Sequence, residues 1–160
     1  MNEEFLALLL NNKKLEENIN NGSVDPNKTC QCDATMLLID DTAFNLYPLL
    51  SKLKNGYNIN CAIAVDGREG VKLYEKDVTK TCCNTKFKMI LTDIMMPIMD
   101  GYEAAKEINK ICKRMQENNP EMPDIPILAI TADVNSNTPA LCEESGIISA
   151  ISKPFQEADL

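Results

Sequence analysis

Short apolar runs alternate along this chain with longer stretches whose apolar positions recur every three or four residues. The first run, Thr35 to Ile39, is followed by Leu46, Leu49, Leu50 and Leu53 at helical spacing. Pro48 is awkward in that helix unless it falls in the first turn, because it lacks the N–H that a helix interior needs. Asn60 to Val65 is a second run, and Val71, Tyr74 and Val78 predict a helix after Gly67, with Lys76 to Lys86 reading as an extended surface loop. Met89 to Thr92 is the third run. Asp100, with Glu103 three residues on, predicts a capping box that opens a helix carrying Ala104, Ile108, Ile111, Cys112 and Met115. Asn118 to Asp124 is a proline-containing loop, Ile125 to Ile130 a fourth strand, Thr138 and Pro139 an N-cap and first-turn pair for a helix to Ser145, and Ala150 to Ser152 a fifth strand. Strands alternating with helices at this spacing predict an α/β fold of βαβ units, with a parallel sheet covered by helices on both faces.

Ahead of this pattern, Phe5, Leu8, Leu9, Leu15 and Ile19 predict a short amphipathic helix, and Asn20 to Cys32 a linker. The chain thus divides into an N-terminal helix and linker, 1–34, and a domain, 35–160. The last helix begins near Phe155 and is truncated at Leu160, so the amino-terminal helix is expected to pack on the face it leaves bare.

Composition narrows the function. The chain has 160 residues, a formal charge of −8 and a pI near 4.6. No cluster of Lys and Arg offers the phosphate contacts that a nucleic-acid partner needs. Phe5 to Leu10 lacks a basic flank and is too short to span a bilayer, so no membrane insertion is expected and the chain reads as cytoplasmic. There are seven cysteines. Cys61, Cys112 and Cys142 fall inside apolar patterns, and the thiols read best as reduced and mostly structural; Cys30, Cys32, Cys82 and Cys83 could in principle make a four-thiolate zinc site, although their spacings match no standard knuckle. Histidine is absent, which excludes phosphorylation on an imidazole of this chain.

The candidate chemistry is a coincidence of position. Asp40 and Asp41 follow the first predicted strand, Asp93 the third, Thr131 the fourth and Lys153 the fifth. In a doubly wound sheet the carboxyl ends of the strands form one rim, so these residues meet around a single crevice. Three acids at short range repel unless a cation holds them together. Mg2+ takes oxygen ligands and keeps several waters, which suits Asp41 and Asp93 directly, Asp40 through water, and the backbone carbonyl of Met95. Lys153 can bind a phosphoryl oxygen and the Thr131 hydroxyl can donate to another, leaving Asp93 as a nucleophile toward phosphorus. Asp100 reads as a helix cap, and Met95, Met96 and Met99 as packing around the turn.

Leu38-Ile39-Asp40-Asp41, the run Leu91 to Gly101 (LTDIMMPIMDG), Ile130-Thr131-Ala132 and Lys153-Pro154-Phe155 together resemble the receiver domain of two-component response regulators and hybrid sensor histidine kinases. Asn45, four residues after Asp41, leans toward the hybrid-kinase type. The resemblance covers about residues 35 to 158. It implies a flavodoxin-like fold of five strands in order 2-1-3-4-5, Mg2+ as cofactor, and transfer of a phosphoryl group to Asp93 from a histidine kinase or histidine phosphotransfer protein. It also implies a phosphoacceptor signalling domain that is not an enzyme beyond slow autodephosphorylation. The sequence departs from the family at Ala150, where an aromatic is usual, and in the short last helix. Met95 and Asp133 occupy positions that tune hydrolysis of the phosphoryl group. Two other classes remain: a degenerate receiver that serves as an interaction module, and an aspartyl-nucleophile phosphohydrolase, whose two acids separated by one residue are not matched here.

Overall fold

The computed structural model describes residues 32–132 and 135–153. The predicted amino-terminal helix and most of its linker, Asp133, and the segment with Pro154, Phe155 and the short last helix lie outside the described residues. The elements in order are β1 (Met36–Ile39), α1 (Ala43–Tyr57), β2 (Cys61–Ala64), α2 (Gly67–Thr79), β3 (Met89–Asp93), α3 (Gly101–Asn118), β4 (Ile127–Thr131), α4 (Thr138–Ser145) and β5 (Ser149–Ser152). All strand pairs are parallel and the order is β2-β1-β3-β4-β5, the flavodoxin-like arrangement. Among the described residues, no helix is long and apolar enough to cross a membrane.

Why these segments become strands follows from burial on both faces. The central strands β1, β3 and β4 are buried along their whole length, so they read as apolar runs without alternation. Successive side chains nevertheless enter opposite layers. Leu37, Ile39, Ile90 and Ala129 pack with Tyr74 of α2, Ala105 and Ile108 of α3 and Cys142 of α4. Met36, Leu38, Leu91 and Ile130 pack on the other side with Leu46, Leu49 and Leu53 of α1.

Several boundaries move from their predicted places, each for a physical reason. β4 starts at Ile127 because Pro126 has no N–H for the ladder; its carbonyl still accepts from Ile90 N at 2.9 Å. β2 is shorter than predicted, since the Val65 N–H is taken by the Glu69 carboxylate at 2.9 Å. Pro48 lies inside α1, beyond the first turn. The break in hydrogen bonding is tolerated on an exposed face, where Phe44 and Tyr47 also point outward. The cap of α4 is Asn137, with Thr138 and Pro139 already helical. α2 runs on to Thr79, so the loop before β3 begins at Lys80 and not at Lys76. Asp77 is the cause: this buried carboxylate accepts from Phe87 N at 2.8 Å and from the Lys80 ammonium, pinning the helix end to the returning chain.

Candidate phosphoryl-acceptor site

The carboxyl edge of the sheet is built from three turns. After β1, the Asp40 N–H donates to the Ala64 carbonyl at 3.1 Å, which extends the pairing with β2 and fixes the side chain at the rim. Asp40 is buried, whereas Asp41 is exposed. The Asp40 carboxylate accepts from Thr42 N at 2.8 Å and from the Asn45 side-chain amide at 3.1 Å to each oxygen. The Asp41 carboxylate accepts the Thr42 hydroxyl at 3.1 Å.

Asp93 closes β3 and is also buried. One carboxylate oxygen accepts from Met95 N at 3.2 Å, and the other from the Lys153 ammonium at 2.6 Å. The same ammonium donates to Asp40 at 2.7 Å, so Lys153 bridges two acids that belong to neighbouring strands. Its backbone is set by an N–H bond to the Thr131 carbonyl at 2.8 Å. Burial works against the charge on Lys153, but the hydrogen bonds and charges of Asp40 and Asp93 outweigh it and hold its pKa above the ordinary 10.5.

The turn after β3 is held tightly. Asp100 caps α3 as predicted: its carboxylate accepts from Glu103 N at 2.8 Å, while the Glu103 carboxylate accepts from Asp100 N at 3.3 Å. Gly101 N donates to the Ile94 carbonyl at 2.9 Å, and a Cβ on Gly101 would lie 2.2 Å from the Asp93 carbonyl oxygen. Helix α3 therefore starts in direct contact with the backbone of Asp93, an approach only glycine permits. Between them, Ile98 has φ of 72° and Met99 N donates to the Pro97 carbonyl at 2.8 Å. This is a γ-turn with a β-branched residue at its centre, a strained conformation next to the site.

The structure thus brings Asp40, Asp41, Asp93 and Lys153 together. Carboxylate oxygens of the three acids lie within 4.8 Å of one another. At that separation the buried Asp40 and Asp93 repel by about 3 to 4 kcal/mol at an effective dielectric of about 20, which Lys153 offsets without neutralising all three acids. A hard divalent cation with oxygen ligands fits this donor set, and Mg2+ would retain waters beside the carboxylates. No backbone N–H among the described residues donates to the Met95 carbonyl, and the Met95 side chain is exposed, so that carbonyl is compatible with a ligand role. Thr131 is placed differently from the others. It is fully buried at the end of β4, one position beyond Ile130, the register partner of Asp93.

Asn45 had been singled out only as a mark of family type, yet it holds both oxygens of Asp40. Its place in the first turn of α1, just past a strand-ending acid, is the signal from which that role could be read. Ala150 lies in β5 and packs against the core with no aromatic at that position.

The family model for the response regulator receiver domain matches residues 36–160. Curated relatives include the "Peroxide stress-activated histidine kinase mak2" of Schizosaccharomyces pombe, 35% identical over 112 residues, which are 70% of this chain and 4% of that protein. "Probable histidine kinase 4" of Oryza sativa subsp. japonica is 30% identical over 138 residues, 78% of this chain and 13% of that protein. The chain thus spans a small part of the length of these kinases. Among solved structures, the receiver domain of the histidine kinase CKI1 from Arabidopsis thaliana complexed with Mg2+ and BeF3− superimposes with a TM-score of 0.65 at 26% identity, covering 74% of this chain and 79% of that one. The chemotaxis protein CheY4 of Vibrio cholerae gives 0.56 at 25% identity, covering 77% and 88%.

Proposed function

Because the chain belongs to the response regulator receiver domain family, we propose that it is a phosphorelay receiver whose Asp93 accepts a phosphoryl group from a phosphohistidine on a histidine kinase or histidine phosphotransfer protein. The observation that carries this reading is the Lys153 ammonium, 2.6 Å from Asp93 and 2.7 Å from Asp40, at a rim where three carboxylates converge. A resident Mg2+, held by Asp40, Asp41, Asp93 and the Met95 carbonyl, would supply charge neutralisation for the incoming phosphoryl oxygens. Relatives named as histidine kinases, and a receiver crystallised with Mg2+, support the same choice of partner and ion.

The chain's own residues divide the work. An Asp93 carboxylate oxygen attacks phosphorus as the phosphorus–nitrogen bond breaks, and the donor imidazole keeps the bonding electrons and takes up a proton. Lys153, already hydrogen-bonded to Asp93, can follow the transferred group and donate to one of its oxygens. The Thr131 hydroxyl is assigned to a second oxygen, by its place on the adjacent strand. Asn45 and Thr42 N keep Asp40 oriented while Lys153 moves. Slow autodephosphorylation is the only turnover assigned, and the cytoplasm, where the donor kinase module would meet it, is the assigned location.

The test is incubation with Mg2+ and acetyl phosphate or phosphoramidate, followed by intact mass spectrometry of wild type and Asp93→Asn. One added phosphate in wild type and none in the variant is expected. An adduct on both proteins refutes Asp93 as acceptor, no adduct on wild type favours a pure interaction module, and turnover of many phosphate monoesters favours a hydrolase.

A further inference from the structure

The opposite edge of the sheet carries a second cluster of chemistry. Cys32 lies shortly before β1, and Cys82 and Cys83 lie in the loop before β3. Because β1 and β3 pair in parallel, with Met36 opposite Met89 and Lys88 N donating to the Thr35 carbonyl at 2.8 Å, the segments entering them run side by side. The Sγ of Cys32 is 3.5 Å from that of Cys82, which is 3.9 Å from that of Cys83, and all three lie within 4.8 Å of one another. A further thiol, Cys30, stands two positions upstream of Cys32 in the sequence.

The geometry matches that of a metal site. Tetrahedral coordination with metal–sulfur bonds of about 2.3 Å separates the sulfurs by about 3.8 Å, and the Cys32–Cys82 and Cys82–Cys83 separations lie on either side of that value. All three thiols are only partly buried, unlike Cys112 and Cys142 of the core, so an ion from solvent can reach them.

The loop is also pinned. Besides Asp77 holding Phe87 N and Lys80, the Lys86 ammonium donates to the carbonyls of Asp77 at 2.6 Å and Lys80 at 2.7 Å. These contacts fix the path of the loop that carries Cys82 and Cys83.

We propose that Cys32, Cys82 and Cys83 form a thiolate site for Zn2+ that ties the start of the domain to the loop entering β3. Binding releases the thiol protons to solvent and involves no redox step. Soft sulfur ligands select against Mg2+, so this site and the carboxylate rim take different ions from the same solution. The cross-link joins residues 50 positions apart at the amino edge of the two central strands. It would therefore stabilise the fold increasingly as free Zn2+ rises above its dissociation constant.

The test uses the whole chain, fully reduced and stripped of metal, titrated with Co2+ as a spectroscopic probe and then with Zn2+. A thiolate-to-cobalt charge-transfer band that saturates at one equivalent, and is bleached by Zn2+ with a rise in melting temperature, is expected. In the Cys82→Ser/Cys83→Ser double variant the band should vanish and zinc affinity fall by more than about 100-fold, beyond the cost of losing an outer hydrogen-bond partner. Asp41→Asn should keep the band, because carboxylates do not produce it. Matching melting curves of the metal-free proteins establish that the double variant is folded. Absence of the band in reduced wild type, its persistence in the double variant, or a Cys32–Cys82 disulfide in a protein that takes up no Zn2+ once reduced each overturn the proposal.

Discussion

Replacing Gly101 by Ala tests whether the tight start of α3 positions Asp93, the proposed acceptor. An added Cβ would sit 2.2 Å from the Asp93 carbonyl oxygen and 2.9 Å from the Ile94 Cα, and both are backbone atoms that no rotamer change can remove. The first contact is about 0.8 Å short of the 3.0 Å below which such contacts essentially do not occur, so helix and strand end must separate by nearly that much. Overpacking of this kind costs about 1–3 kcal/mol, partly offset by the better helix propensity of alanine. For a domain of this size the melting temperature should fall by roughly 5–10 °C. The functional loss should be larger in proportion, because a misplacement of about 1 Å at a reacting group costs on the order of 100-fold in rate. Gly56→Ala is the matched control: nothing lies within 4 Å of its added Cβ, and that variant should be neutral or more stable by up to about 1 kcal/mol. The assays are thermal denaturation and the initial rate of phosphoryl uptake from acetyl phosphate with Mg2+. A Gly101→Ala protein that melts with wild type and takes up phosphate at the wild-type rate would refute the argument that this contact sets the acceptor.

Three further perturbations read other parts of the structure. Lys153 has a folded pKa above its ordinary 10.5, so its ion pairs stabilise fully below the unfolded value and that contribution is lost as pH rises through the folded one. The stability difference between wild type and Lys153→Met in urea, without Mg2+, should therefore be constant near pH 8 and shrink above about pH 10.5; a difference that does not change with pH would contradict the bridging geometry. Asp77→Ala strands the Phe87 N–H and removes the partner of Lys80, and should cost about 2–4 kcal/mol by urea denaturation; a loss below about 0.5 kcal/mol would show that the loop is held by other contacts. Asn45→Ala releases both oxygens of Asp40, so calorimetry should show Mg2+ affinity lowered by about 10-fold or more with little change in melting temperature; unchanged affinity would remove Asn45 from the site.

What the sequence disclosed depended on how local each cause was. The central strands announced themselves because a strand buried on both faces must be apolar throughout, as Met36–Ile39 and Met89–Leu91 are. The Asp100–Glu103 cap was equally plain, since both partners lie within one turn. Asp77 was not visible, because an acid flanked by Lys76 and Val78 near a helix end looks like part of a solvated face. Only the return of the chain at Phe87, ten residues later, makes it the most buried carboxylate of that layer. Pro48 misleads for the converse reason. Its cost is set by exposure of one turn of α1, which spacing alone does not reveal.

The two candidate clusters follow from one topological fact applied at its two ends. With β1 and β3 adjacent and parallel, whatever follows both strands meets at the carboxyl edge, which brings Asp40 and Asp41 to Asp93. By the same pairing, whatever precedes them meets at the amino edge, which brings Cys32 to Cys82 and Cys83. The acids were legible because they abut their strands, so strand order alone predicts their meeting. The thiols stand further back, four residues before Met36 and six or seven before Met89. Their meeting also requires the path of the intervening loop, and that path is fixed by Asp77, Lys80 and Lys86. A buried acid remote from the carboxylate rim would thereby control whether the amino edge can hold a metal, so Asp77→Ala should weaken the thiolate–cobalt band while leaving the proposed phosphoryl uptake at the rim intact. If it abolished both together, the two edges would not be independent sites, and the whole domain would have lost its fold.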